Sequence, residues 1–184
     1  MHLLTRQSRR AIVGAFVALM AAHAPVGAQA PGARAVLPGL DAPILMDTIG
    51  LAHPIQGSRD AIFAALESTF AELKIPIETR NPKAGLLHNL NAEVTRRLGN
   101  EPLSRYLDCG RGFSGNNADV YRISLAVSAW IEPATGEPQR LLVAVAASGR
   151  DPSGSHSAYA ACTSRGALEQ RVAARVQALV SAAR

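Results

Sequence analysis

The sequence predicts an α+β fold: an antiparallel sheet of about four to five strands with an N-terminal and a C-terminal helix packed on one face. Three observations carry that expectation. An apolar stripe at helical spacing runs through residues 58–73, an alternating strand pair occupies residues 120–148, and a second helical stripe closes the chain over residues 166–183. A one-sided sheet and two striped helices each need cover, and they supply it to one another.

The chain opens with a segment that is read as an address rather than as structure. Arg6, Arg9 and Arg10 form a positive region, Ala11–Ala24 is an uncharged apolar run, and Ala28-Gln29-Ala30 is a small-x-small site. That order predicts a signal peptide over residues 1–30 with cleavage near Ala30, and the run falls short of the roughly 20 residues a bilayer-spanning helix needs. The expected product is periplasmic or secreted, with no membrane span. Removing three arginines and no acid would lower the net charge from +5 to +2. The remaining arginines are scattered, with no stripe interleaved with aromatics, so a nucleic-acid partner is not expected.

Residues 31–43 hold three prolines and no sustained period, and read as a flexible lead-in to a single domain over residues 44–184. Ile49, Leu51, His53 and Ile55 alternate with smaller residues and predict a short strand. In the first helix Ile62, Leu66, Phe70 and Leu73 share one face, Ser58 is the cap, and Asp60 suits the positive end of the dipole. Ile75–Thr79 is extended, and Pro76 places it at a sheet edge. Asn81–Gly85 is a turn, and residues 86–94 return as a strand.

The clearest strand covers residues 120–131. Tyr121, Ile123, Leu125, Val127, Ala129 and Ile131 take one face, opposite Arg122, Ser124, Ala126 and Ser128, with Trp130 the exception on the polar side. A Pro/Gly turn over residues 132–139 leads to the partner strand at 141–148, and residues 158–162 predict a short third strand. The last helix carries Leu168, Val172, Val176 and Leu179 on one stripe, with Thr163 or Ser164 as its cap.

Leu73-Lys74-Ile75-Pro76-Ile77, Leu103-Ser104-Arg105-Tyr106-Leu107-Asp108-Cys109-Gly110, the long hairpin and Cys162-Thr163-Ser164-Arg165-Gly166-Ala167-Leu168-Glu169 together resemble a family of uncharacterised secreted bacterial proteins. Over residues 45–184 the layout is similar to the helix-grip periplasmic domains of the outer-membrane assembly lipoprotein BamC. The chain lacks the lipidated cysteine that anchors that protein. The resemblance implies a helix-grip-like fold and bears little on activity.

Two cysteines, Cys109 and Cys162, are an even count, which in an oxidising compartment reads first as a disulfide, a reactive thiol pair being the alternative. Gly110-x-Gly112-x-x-Gly115 matches the dinucleotide fingerprint in letters, yet it leads into a strand rather than a helix, so a loop beside the disulfide is expected. Asp151, Ser153 and His156 share one Ser/Gly-rich loop without a nucleophile elbow, and read as a hairpin connection. His53, His88, His156 and the cysteines show no ligand spacing, so no metal and no cofactor are expected. Asp108 reads as a turn cap or as the partner of a nearby arginine such as Arg111.

With no catalytic residue predicted, the sequence points to a non-enzymatic envelope domain that binds another envelope protein. Trp130, Arg122, Ser124 and Ser128 on the polar hairpin face are the candidate interface. A carrier of a small hydrophobic ligand or lipid, held between helix and sheet, is the alternative.

Overall fold

The computed structural model describes residues 32–133, 138–154 and 158–183. The predicted signal segment, the tip of the 132–139 turn and His156 lie outside them. The fold is α+β. The sheet strands are β1 (Leu51–Ile55), β2 (Thr79–Asn81), β3 (Leu86–Thr95), β4 (Leu107–Asp108), β5 (Arg122–Ile131), β6 (Gln139–Arg150) and β7 (Tyr159–Ser164). The helices are α1 (Met46–Ile49), α2 (Arg59–Leu73) and α3 (Ala167–Ala182). All pairings in the sheet are antiparallel, in the order β2-β3-β5-β6-β7-β4, with β1 also on β6. Seven strands exceed the four to five expected. The surplus comes from pieces such as β2 and β4, of three and two residues, too short to display a period.

The β5–β6 hairpin is the backbone of the sheet, in unbroken register from Arg122–Arg150 to Ile131–Leu141. The other side of β6 is shared. Gln139–Val143 pair with β1, and Ala147–Arg150 pair with β7. β3 flanks β5 and bulges opposite the Leu125–Val127 stretch. Beyond β3, β2 is the edge strand; it starts at Thr79, so of the expected segment Ile75–Thr79 only its last residue pairs, and Pro76, which lacks an N–H to donate, lies ahead of the strand.

Helix α2 begins where the sequence places it: the Ser58 hydroxyl accepts from the Ala61 N–H at 3.3 Å. It ends at left-handed Lys74 (φ 58°), whose N–H bonds the Ala71 carbonyl. Helix α3 starts differently from expectation. Its cap is Gly166 (φ 75°), and Ser164 instead accepts from the Gly166 N–H at 3.1 Å and donates to Glu169 Oε1 at 2.6 Å. The left-handed turn that swings the chain off β7 requires the glycine, and displaces the serine by two positions.

Both long helices lie on one face of the sheet. Ile62, Leu66 and Phe70 of α2 and Leu168, Val172 and Val176 of α3 are fully buried in one core with Ile123, Leu125, Val127, Ala129, Leu141 and Val143. Each large side chain so buried contributes about 1.5–3 kcal/mol.

The opposite face is covered as well, by the segment read from its composition as a lead-in. Arg34–Ala35 pairs with Ile44–Leu45, closed by a Met46 N–H to Ala33 carbonyl bond of 2.9 Å. Ala35, Leu37 and Met46 of this ribbon are buried against Ala126, Ala144 and Ala146. The prolines and glycines of residues 31–43 therefore mark a reversal in a packed ribbon. The Leu40 N–H bonds the Leu37 carbonyl, and Gly39 (φ +78°) lies against Tyr159, where a Cβ would sit 2.2 Å from the tyrosine's own. Only glycine fits that contact.

Candidate functional site

The site that stands out grows from the end of β4. Leu103, Tyr106 and Leu107 are buried and fix the chain just before it. Cys109 then bonds to Cys162 on β7, with Cα atoms 4.2 Å apart, so the disulfide reading holds. Asp108 accepts from the Gly110 N–H at 3.0 Å and pairs with Arg165 at 2.9 Å. It is the turn cap expected, but its cation is Arg165 rather than Arg111, because β4 pairs beside the Ser164 end of β7.

From this base a small hairpin projects. Arg111–Gly112 pairs with Gly115–Asn116. Asn117 ties its two ends together: its backbone N–H bonds the Gly110 carbonyl at 3.0 Å and its side-chain amide donates to the Cys109 carbonyl at 3.2 Å. A Cβ on Gly112 would meet Asn117 Oδ1 at 2.8 Å, so this glycine permits the clasp. The chain then enters the 3₁₀ turn Asn117–Asp119 and β5. The three glycines of the fingerprint thus build a hairpin, with no helix N-terminus to face a pyrophosphate.

Phe113 sits at the tip with its ring wholly exposed (110%). Sequence reasoning noted the glycines and passed over the phenylalanine between them. The signal was present: a large apolar residue inside a Gly-rich loop has no neighbour on its own element to pack against. The disulfide and Asn117 tie the base of this hairpin to the sheet, and the ring stands at its tip.

The predicted interface residues are divided by the ribbon. Ser128 is buried beside Ala33 and Met46. Trp130 is half-buried and donates its indole N–H to the Ala84 carbonyl at 3.1 Å. Arg122 and Ser124 stay open at the other end of the strand, where Arg122 pairs with Glu93 at 3.0 Å. They line a cleft of about 290 Å³ with Arg150 and Tyr159.

The remaining candidates are structural. Asp151 accepts from the Ser153 N–H and hydroxyl at 2.8 and 2.7 Å, a local turn bond. His53 is half-buried on β1. His88 is buried on β3 opposite Ser128, and burial pushes its pKa down. No three of His, Cys, Asp and Glu come together as metal ligands among the described residues. Between α2 and α3, Arg175 forks onto both oxygens of Glu72 at 2.6 and 2.7 Å and holds that carboxyl below its usual pKa. This pair bridges the groove lined by Thr69, Leu73, Ala174 and Ala178. No described helix is long and apolar enough to cross a membrane.

No family model, curated protein or solved structure matches this chain.

Proposed function

We propose that this chain is an exported, non-enzymatic domain, helix-grip-like in its packing of α3 across the sheet, that binds another protein of the cell envelope. The observation that carries the reading is Phe113, a wholly exposed ring on a hairpin held by the Cys109–Cys162 disulfide. A disulfide-bonded pair fits an oxidising compartment. A single projecting ring suits an apolar socket on a folded partner, where one aromatic anchor contributes 2 kcal/mol or more. Anchoring to a lipid surface takes more than one such group. The carrier alternative requires space between helices and sheet, and Ile62, Leu66, Phe70, Val172 and Val176 occupy that layer.

A photo-crosslinking residue at Ser114, in the protein expressed in its own cells, tests the proposal. A discrete protein crosslink is expected, lost on F113A while the melting transition stays within the shift of about 0.5 kcal/mol typical of surface changes. Crosslinks unaffected by F113A, or none, would overturn it.

A further inference from the structure

On the sheet face away from the two long helices, one end stays partly open beside the ribbon's turn, where Gly39 lies against Tyr159. There Arg122 and Arg150 are direct register partners across β5 and β6, and Tyr159 is the next residue across, on β7. Partners so placed stand with Cβ atoms about 5 Å apart, and like charges directly opposite destabilise a sheet unless something neutralises them. Glu93 engages Arg122 from the far side, at its Nε. Among the described residues Arg150 makes no ion pair with a carboxylate of that kind. Its guanidinium lies 5.9 Å from the centroid of the Tyr159 ring, and the neighbouring Asp151, which accepts from the Ser153 N–H and hydroxyl, also lines the cleft. The next register pair inward is Ser124 with Ser148. Ser148 is fully buried on this same face, and its hydroxyl has no hydrogen-bond partner. Two guanidiniums, one of them over the Tyr159 ring, thus border an open cleft of about 290 Å³ that Ser124 also lines.

We infer that this cleft is an oxyanion-binding site that takes a carboxylate or phosphate group between Arg122 and Arg150. A planar guanidinium presents paired N–H donors in the spacing of two oxygens of such a group. Glu93 and Asp151 also line the cleft, so two carboxylates offset part of the arginines' charge. The site is independent of Phe113.

Backbone amide shifts of the ¹⁵N-labelled protein, titrated with inorganic phosphate and separately with acetate at constant ionic strength, test it. Saturable shifts confined to residues 122–124, 148–151 and 159 are expected, weakened at least tenfold in R150Q. R150K, which keeps the charge and loses the planar fork, should fall between and serves if R150Q fails to fold. Tighter phosphate binding would assign the group to a phosphoester, and tighter acetate binding to a carboxylate such as a peptide C-terminus. Non-saturable shifts spread over all the exposed arginines, or binding unchanged in both variants, would overturn the inference.

Discussion

The two faces of the β5–β6 hairpin are covered by different means, and their residues differ accordingly. The face under α2 and α3 presents Ile123, Leu125, Val127, Ala129 and Ile131 from β5, every one fully buried. Helices stand off a sheet by about 10 Å, and branched and aromatic side chains fill that gap. The face under the ribbon presents Ala126, Ala144 and Ala146, with Ser128, Ser148 and His88 buried among the same strands. There the large side chains come from the ribbon, Leu37 and Met46, and the sheet supplies small residues opposite them. The alternation of residues 120–131 shows which face is apolar, but small polar residues opposite do not mean solvent. They also mark a second cover, the ribbon.

The two covers should differ in how much stability they carry. F70A, in the helix layer, should cost about 3–5 kcal/mol, read from urea denaturation. L37A, in the ribbon, should cost only about 1–2 kcal/mol, because a ribbon can open locally and its opening free energy caps the loss. Equal losses would mean that ribbon and helices unfold as one unit. Replacing both Cys109 and Cys162 by serine removes a cross-link with a sequence separation of 53 residues. A loop of that size is worth about 4 kcal/mol in the chain-entropy account. Hydrogen exchange should show the loss as a lowering of the whole molecule with residues 110–117 most affected. Loss confined to the hairpin would mean that the staple acts locally.

The smallest effect concerns His88 on the ribbon-covered face. Burial lowers its folded-state pKa below 6.5, so the neutral form is the one the fold accommodates. The unfolded chain takes up a proton first as pH falls. Stability is therefore full above about pH 6.5 and declines as pH falls below it. H88Q should flatten thermal melting temperature against pH between 7 and 5. An unchanged slope would assign the pH dependence to the carboxylates.

Helices α2 and α3 and the strands β3, β5, β6 and β7 were legible because each runs long enough to show a period, and Ser58 marked its helix start correctly. The ribbon was not, since two-residue strands joined by Pro38 and Gly39 look like any irregular lead-in. Of the proposed surface, Arg122 and Ser124 were legible as an outward face. That the same face would lose Ser128 to the ribbon, and gain Arg150 from across the hairpin, depends on register and on chain reversal, which composition does not encode. Phe113 was visible but unread, because its meaning comes from the clasp that Asn117 and the disulfide close around its hairpin.

The sharing of one side of β6 by β1 and β7 has a temporal consequence. β1 belongs to the first third of the molecule, yet its partner residues Gln139–Val143 come some ninety positions later. The same partner strand must also receive β7, which follows it. Neither helix-covered core nor ribbon can be sealed until β6 is present, since both are built on it. A chain delivered from its N-terminus therefore stays open through most of its delivery and closes late, around a single strand. Contacts of such long sequence separation slow folding. For the exported domain proposed above, that delay would keep the chain threadable until the crossing is nearly complete.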